Sequence, residues 1–438
     1  ALRSHETMNF LHSARTGKIT QSVHIVIEKL KWLKKRGNIM DIVVRPGDTF
    51  WYYSQVFQIP LVLIEDANAH LNPNHLSIGQ RIRIPGYRRV PYIVQPLDTF
   101  WNIARMYRLP LDALYITNPG VNPNNLQTGQ EIHIPVRVTS PVVMGQRPYD
   151  FASLVRDLQD LGEIYPFLRI QSIGTSVLGK PLYEILIGRG DRVIHFNGSF
   201  HANEWITTSV VMKILNTYVL ALTTNAPIRG VETLPLYLNN TISIVPMVNP
   251  DGVDLVLHGP PAERKEEILA INRGSYDFSR WKANIRGVDL NKQYPANWEI
   301  EKERKEPQQP APRDFPGDSP LTEPEAIAMA RLAQTRQFSQ LYAFHTQGKE
   351  FYWGYEGLEP PESEQIAREI ARVSGYKSIR YLDSHAGYRD WFIQIYRRPG
   401  FTMELGFGVN PLPLDQFPEM YEAMLGVFLV ALLQESPL

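Results

Sequence analysis

An internal repeat constrains the fold of this 438-residue chain more than any other feature of its sequence. The stretch Asp48–Trp51 recurs as Asp98–Trp101, and the spacing of 50 residues continues without a gap to Pro85 and Pro135. Asn-Pro-Asn and Gly-Gln sequences are repeated between these points. Agreement at so many positions indicates that one small structural unit has been duplicated.

Each copy shows the same pattern of predicted elements. An apolar strand is followed by a turn, two short helical segments, a loop rich in Pro, Asn and Gly, and a closing strand. We therefore predict one βααβ module at residues 41–86 and a second at residues 90–135.

The duplicated unit closely resembles the LysM module, a family that binds glycans containing N-acetylglucosamine, such as peptidoglycan and chitin. The resemblance implies a shallow groove between the loop after the first strand and the loop before the last. It assigns glycan binding to Gly47, Asp48, Thr49, Phe50, Ile78 and Gly79 in the first copy and to Asp98, Thr99, Phe100, Thr128 and Gly129 in the second. Leu97 stands where the first copy has Gly47, which leaves the turn geometry of the second groove open.

The aromatic residues of the repeated DTFW sequence have an alternative role in the core of each module. For Trp51 and Trp101 we favour the core, because aromatic side chains at the start of a helix usually pack inward.

Composition and the ends of the chain exclude several classes of function. Lys and Arg together number 45, as do Asp and Glu, so no overall field favours nucleic acid or an anionic membrane. The chain has no Cys, which leaves His, Asp and Glu as the strong metal ligands.

Residues 1–40 are predicted to be a helical or flexible leader without a recognisable signal peptide. The apolar residues 424–433 cover only about half a bilayer, so we expect a packed helix and no membrane span.

Residues 145–438 alternate between strand and helix patterns after a short linker. This alternation predicts an α/β domain whose mixed central sheet is flanked by helices.

Candidate metal ligands follow two apolar strands of this domain. His201 and Glu204 come shortly after the run of residues 192–197, and His345 ends a second apolar run. Ligands of open α/β sheets bind at the carboxyl ends of the strands. One His-x-x-Glu pair is expected by chance about once per chain, so the prediction depends on the agreement between the two strands.

A carboxylate and a polar loop complete the candidate site. Glu404 interrupts an apolar strand, where burial would raise its pKa toward the range of a general base; the alternative is an ion pair with a core Arg. The loop WKANIRGVDLNK supplies Arg286, Asn291 and Lys292, and its Asp289 is suited to hold a ligand His by the second ring nitrogen.

With the NPDG sequence at Asn249–Gly252 and the pair Asp390–Trp391, these motifs resemble the zinc carboxypeptidase family across residues 145–438. The resemblance implies one Zn²⁺ per chain, bound by His201, Glu204 and His345. It makes Glu404 the general base and Arg286 the residue that stabilises the oxyanion, with Arg280 as the alternative.

The same resemblance implies a set of substrate-binding residues, namely Asn291, Lys292, Tyr381, Tyr388 and Arg389. Lys292 replaces an Arg that is usual in the family, so its grip on a carboxylate is expected to be looser. Arg389 stands where relatives line the specificity pocket and would favour a side chain that ends in a carboxylate; the alternative is an exposed loop Arg. Tyr381 and Tyr388 belong to a stretch whose composition suits a lid.

Glycan-binding modules joined to a zinc peptidase indicate the bacterial cell wall as the substrate. The combination resembles the γ-D-glutamyl-meso-diaminopimelate peptidases, so we expect hydrolysis of that amide in peptidoglycan stem peptides, at the cell wall, outside the cell or on spores. The alternatives are a peptidoglycan amidase of related zinc chemistry and a wall-binding protein with an inactive peptidase domain. The sequence leaves the oligomeric state open.

Overall fold

The computed structural model describes residues 38–433. Most of the predicted leader, residues 1–37, lies outside the described residues, and its last three positions begin the first strand. The described chain divides into two compact units, one made of residues 38–48 and 77–137 and the other of residues 49–76 and 138–433.

Both copies of the repeat have the predicted order of strand, helix, helix and strand. The closing strand of the first copy and the opening strand of the second are one continuous strand of 13 residues, which pairs antiparallel with a strand on each side. The elements are β1 Asn38–Val43, α1 Phe50–Phe57, α2 Leu61–Ala67, β2 Arg81–Ile93, α3 Phe100–Tyr107, α4 Leu111–Thr117 and β3 Glu131–Arg137.

The aromatic pair at the start of α1 and of α3 is split between core and solvent. Phe50 and Phe100 are buried, whereas Trp51 is 62% exposed and Trp101 is 55% exposed. Neighbouring residues of a helix point in directions about 100° apart, and here the first member of each pair faces the core while the second faces solvent. The prediction that the two Trp are core residues is therefore wrong.

The turn before each of these helices has the same backbone conformation in both copies. Gly47 has a φ of 82° and Leu97 a φ of 70°, although Leu carries a Cβ that disfavours this left-handed region. The turn geometry that the sequence left open is therefore left-handed at this position in both copies, and Leu97 keeps it at some cost in backbone strain.

An eight-stranded sheet forms the centre of the remaining chain. Its order is β10-β9-β11-β8-β6-β7-β5-β4, where the strands are β4 Arg169–Thr175, β5 Pro181–Gly188, β6 Arg192–Asn197, β7 Asn240–Val245, β8 Gln340–His345, β9 Glu350–Tyr352, β10 Lys377–Ile379 and β11 Gly400–Glu404. Neighbours from β11 to β7 run parallel, and β4, β5 and β9 introduce antiparallel pairs. The predicted mixed sheet is confirmed.

Helices flank this sheet, as the alternating pattern predicts. They are α5 Phe151–Ile164, α6 Ile206–Thr224, α7 Thr233–Asn239, α8 Pro250–His258, α9 Lys265–Ile271, α10 Trp298–Arg304, α11 Pro324–Arg336, α12 Glu362–Ser374, α13 Tyr388–Tyr396 and α14 Phe417–Leu433.

Two of the described helical segments, residues 202–224 and 414–433, are long and apolar enough to cross a membrane by length and composition alone. In their most apolar windows, 83% and 67% of the residues are buried inside the fold. Core helices of soluble proteins pass the same test, and α14 packs as the sequence predicts.

Candidate active site

Three neighbouring parallel strands bring the candidate residues together. In the sheet, β6, β8 and β11 lie side by side, and the last residues of β8 and β11, His345 and Glu404, are register partners. His201 and Glu204 lie in the turn that follows β6. Because parallel strands end at the same edge of a sheet, residues from distant parts of the sequence meet there.

His201, Glu204 and His345 form a buried cluster that fits a zinc ion. Their possible ligand atoms all lie within 4.8 Å of one another. Nδ1 of His201 is 2.9 Å from Oε1 of Glu204, Nδ1 of His345 is 3.0 Å from Oε2, and the two Nδ1 atoms are 3.2 Å apart. Zinc bonds of about 2.0–2.2 Å in a tetrahedral site require ligand atoms at roughly this separation.

Asp289 holds the far side of the His201 ring. Its Oδ1 is 3.2 Å from Nε2 of His201 and also accepts the backbone N–H of Asn291 at 3.0 Å. Burial alone would raise the pKa of Asp289, but the charge of His201 and the hydrogen bond to it keep the pKa below its ordinary value. A carboxylate in this position directs the Nδ1 lone pair of His201 toward the cluster.

Lys282 is a residue of this centre that the sequence analysis missed. Its Nζ is 3.4 Å from Oε1 of Glu204. Burial lowers the pKa of Lys282, but the carboxylates of Glu204, Asp289 and Glu404 outweigh it and raise the pKa. The ammonium is therefore a positive charge beside the His-Glu-His cluster. Its neighbours Trp281 and Ala283 are both buried, but this burial depends on tertiary contacts that the sequence pattern does not show.

Arg286, the predicted oxyanion residue, lies elsewhere. Its side chain is 47% exposed, and its guanidinium is 3.5 Å from Glu323. The amide oxygen of Asn284 accepts the backbone N–H groups of Arg286 and Val288, and this fixes the loop that carries Arg286. The described residues that line the two cavities beside Glu404 include Lys282 and Arg280 but not Arg286.

Glu404 is partly exposed to the cleft at the end of β11. Within residues 38–433 its carboxylate has no hydrogen bond or ion pair, so the alternative of a core Arg partner is not realised there. Burial raises the pKa of Glu404, and the nearby negative charge of Glu204 raises it further, against the effects of Lys282 and His201. The carboxylate is thus able to take up a proton near neutral pH.

The cleft has two arms that share Lys282, Tyr352 and Glu404. The smaller cavity, of about 200 Å³, also contains Asn291, Lys292 and Arg389. The larger, of about 370 Å³, is lined further by Asn203, Arg280, Arg313, Thr346, Gln347, Gly408, Val409 and Asn410.

The cations of the smaller cavity are largely paired with acids. Nζ of Lys292 is 2.5 Å from Glu301 and donates to Oγ of Ser384 at 2.7 Å. Arg389 is buried, pairs with Asp390 and donates to the carbonyl of Gly354, which excludes the exposed-loop alternative. This arm therefore offers oriented donors whose positive charge is partly neutralised.

The two predicted lid tyrosines have different environments. Tyr388 is fully buried at the start of α13, and its hydroxyl donates to the carbonyl of Met329. Tyr381 is 53% exposed and donates to Glu359. A lid role for Tyr388 is excluded, because this core side chain cannot close over the cleft without leaving the fold.

Several predicted glycan-binding residues serve the structure of their own module. Thr49 and Thr99 cap α1 and α3 by accepting backbone N–H groups at 3.0 and 3.1 Å. Asp48 accepts the backbone N–H of Arg45 across its turn, and Asp98 accepts that of Gln95. Phe50 and Phe100 are buried, and the exposed residues of this set are Gly47, Thr49, Ile78, Gly79, Thr99, Thr128 and Gly129.

Comparisons with known proteins agree with this architecture. A model described as zinc carboxypeptidase matches residues 154–422, and one described as LysM domain matches residues 42–85 and 92–135. Over 395 residues the chain is 59% identical to gamma-D-glutamyl-L-diamino acid endopeptidase 1 of Lysinibacillus sphaericus, covering 90% of this chain and 100% of the relative. It is 48% identical over 293 residues to the uncharacterized protein YqgT of Bacillus subtilis (strain 168), covering 66% of this chain and 78% of that one.

Among solved structures, thrombin activatable fibrinolysis inhibitor matches with a TM-score of 0.54 at 16% identity. The match covers 78% of this chain and 96% of that protein. At this identity the likeness shows the fold alone.

Proposed function

The chain belongs to the zinc carboxypeptidase family and carries two LysM domains, and from this premise we propose that it hydrolyses the γ-D-glutamyl-meso-diaminopimelate amide of peptidoglycan stem peptides. The observation that carries the proposal is one cleft that joins a His-Glu-His cluster to the carboxylate of Glu404, which has no partner in the described part of the chain. A relative named as an endopeptidase for γ-D-glutamyl-diamino acid bonds, matched over its whole length, supports the choice of bond.

The first part of the proposal is one zinc ion per chain, held by His201, Glu204 and His345. Bound zinc would supply a Lewis acid and would lower the pKa of a water molecule toward about 7. Asp289 fixes the tautomer of His201, so that its Nδ1 lone pair faces the cluster. The pKa of His201 is about 9, since the charges of Glu204 and Asp289 outweigh burial, and metal binding would therefore release a proton.

Glu404 acts as the general base in this proposal. Its raised pKa, and the lack of a partner for it among residues 38–433, suit it to accept the proton of the attacking water and then to deliver it to the leaving amine. A carboxylate held in a permanent ion pair would be a weaker base, because the pair would stabilise its charged form.

Lys282 takes the role that the sequence analysis gave to Arg286. Its ammonium is held at the centre of the cleft between the two arms. A fixed charge there would stabilise the negative charge that develops on the carbonyl oxygen in the transition state.

The smaller arm would bind the diaminopimelate side of the scissile bond. Asn291, Lys292 and Arg389 offer donors for its carboxylates, although Glu301 and Asp390 reduce the net charge. The LysM domains would bind the glycan strand, which raises the local concentration of attached stem peptides without further contacts in the cleft. Binding to the glycan strand would hold the protein at the cell wall.

Digestion of purified muropeptides, followed by mass spectrometry of the products, tests the proposal. We expect L-alanyl-D-glutamate ends and diaminopimelate-containing fragments, with loss of activity in a chelator and recovery on addition of one equivalent of zinc. Release of intact stem peptides would instead establish an amidase. If zinc-loaded protein binds walls but cuts no muropeptide, the protein is a wall-binding protein with an inactive peptidase domain.

A further inference from the structure

Two arginines join the larger arm of the cleft to a neighbouring surface cavity. Arg280 and Arg313 line both the arm of about 370 Å³ and an adjoining cavity of about 610 Å³. Neither arginine lines the smaller arm, which contains Asn291, Lys292 and Arg389. If the leaving amine occupies the smaller arm, the acyl group of the substrate faces these two arginines.

Arg280 carries a guanidinium that is available to a ligand. It is exposed, and within residues 38–433 it makes no hydrogen bond or ion pair. The pKa of Asp277 is lowered chiefly by its hydrogen bonds to Ser279, and the charge of Arg280 lowers it less. Within the described residues no ion pair joins Asp277 to Arg280.

Arg313 is the second cation of this arm. Its Nε donates to Asp314 at 2.8 Å, and its remaining N–H groups are without a partner in the part of the chain that the structure describes. The outer cavity also contains the acids Asp277, Glu306 and Asp314, but its five cations, Arg273, Arg280, Arg304, Lys305 and Arg313, outnumber them.

Backbone hydrogen bonds connect the segments that carry both arginines to the turn of the His-Glu-His cluster. The N–H groups of Lys282 and Ala283 donate to the carbonyl of Pro312 at 2.8 and 3.0 Å, which sets the segments of Arg280 and Arg313 side by side. The carbonyl of Lys282 accepts the N–H of Ala202, the residue next to His201, at 2.9 Å.

Two side chains fix the same segment further. Asn203 donates to the carbonyl of Ser279, and the buried indole of Trp281 donates to the carbonyls of Ala283 and Asn284. The backbone that carries the two cations therefore has a defined position relative to the His-Glu-His cluster.

A γ-linked glutamyl residue differs from an ordinary peptide residue on its acyl side. Its free α-carboxylate is attached to the scissile carbonyl through the Cγ, Cβ and Cα carbons, whereas an α-linked residue has no carboxylate on its main chain. Guanidinium groups bind carboxylates through paired hydrogen bonds.

We propose that Arg280, assisted by Arg313, forms a subsite that binds the free α-carboxylate of the γ-glutamyl residue. The subsite selects γ-glutamyl peptides over α-linked ones, and free acids over their amides. This inference rests on the proposed function and adds the recognition of the acyl side to it.

A matched pair of peptides tests the subsite. One is L-alanyl-γ-D-glutamyl-diaminopimelate, and the other has the glutamyl α-carboxylate converted to the amide, as in D-isoglutamine. For the zinc-loaded full chain we expect kcat/KM to be about tenfold higher on the acid, as a charge-assisted hydrogen bond implies. Arg280→Gln should lower kcat/KM on the acid about tenfold and on the amide less than about twofold, whereas Arg280→Lys retains part of the preference.

Arg331→Gln, which changes an exposed arginine on α11, is the matched control and should leave both rates unchanged. The acid-to-amide ratio of the unaltered chain needs no variant and is informative even if a substitution impairs folding. Equal rates on acid and amide, or an equal loss on both in Arg280→Gln, would overturn the subsite while leaving the proposed function intact. If the unaltered chain cuts neither peptide but cuts another bond of the stem, both proposals fail.

Discussion

Two acidic side chains of the peptidase domain, Glu404 and Glu325, share a raised pKa but have opposite surroundings. Burial is the main cause for both, and it raises the pKa of Glu325 to about 7. Glu325 is sealed in the core, where it accepts the backbone N–H of Val177 at 3.1 Å. Glu404 borders two cavities and has no partner within the described residues. A raised pKa by itself therefore indicates burial. Glu404 is identified as the base because it also borders open cavities and its oxygens have no partner within the described residues.

The neighbours of the two carboxylates explain the rest of the difference. Glu404 lies beside the cation Lys282 and the His-Glu-His cluster. A proton that Glu404 takes up can therefore be passed to a group that reacts at this cluster. Glu325 lies near the acids Asp251 and Glu323, under the loop that Asn284 holds in place. The group around Glu325 supports a loop, whereas the group around Glu404 can act on a substrate.

The largest expected effect comes from replacing each of the two carboxyl groups in turn by an amide of the same shape. Glu404→Gln should lower kcat on a γ-D-glutamyl-diaminopimelate peptide by about 10³-fold, because general base catalysis contributes about 10²–10⁴-fold. Glu325→Gln should change kcat by less than about threefold, since that carboxylate does not reach the cleft. Initial rates of the two zinc-loaded variants decide the matter, and undiminished turnover by Glu404→Gln would refute its role as the base.

The second prediction separates Lys282 from Arg286. Lys282→Met should lower kcat/KM about 10²-fold, in line with the loss of one donor to a developing oxyanion, and Lys282→Arg should recover part of it. Arg286→Gln should change kcat/KM by less than about threefold, because its exposed side chain pairs with Glu323 outside the cleft. If the two effects were reversed, the original assignment of Arg286 would stand.

The sequence was informative wherever a function depends on where a strand ends. His201, Glu204, His345 and Glu404 were identified because polar residues at the ends of apolar runs share one edge of a sheet. The repeat likewise indicated two modules, because duplication is visible in the sequence itself.

Other features depend on tertiary contacts that no local pattern contains. The segment of Lys282 is fixed by the buried Trp281 and by the carbonyl of Pro312, 30 residues further along the chain. Glu325 stands in the first turn of an ordinary helix, where an acid usually faces solvent. Tyr388 lies in a loop-like sequence but is packed against Met329.

The third prediction concerns the carboxylate that orients His201. Asp289→Asn should weaken zinc binding about 10- to 100-fold, because partners that orient a ligand His typically contribute that much to affinity. Competition with a chromophoric chelator measures the dissociation constant directly, without any substrate. Asp191→Asn, at an exposed position, is the control and should bind zinc as the unaltered chain does. An unchanged affinity in Asp289→Asn would mean that this contact does not position the ligand.

The smallest expected effect tests Glu325 through stability. Its pKa of about 7 in the fold exceeds the ordinary value of 4.5, so between these values the folded chain holds a proton that the unfolded chain has lost. The stabilisation from this proton is complete below pH 4.5 and is lost as the pH rises through about 7. From pH 5 to pH 8, Glu325→Gln should therefore gain about 2 kcal/mol in unfolding free energy relative to the unaltered chain.

Urea unfolding at each pH measures this change, and Glu299→Gln, at an exposed position of α10, is the matched control that should follow the unaltered chain. The comparison of the two variants removes the contributions of all other titrating groups, because those groups are common to both. A constant difference between Glu325→Gln and the unaltered chain across this range would show that Glu325 is already ionised in the fold. The hydrogen bonds from Val177 and Asn284 would then outweigh burial, and the two carboxylates would differ in charge state as well as in exposure.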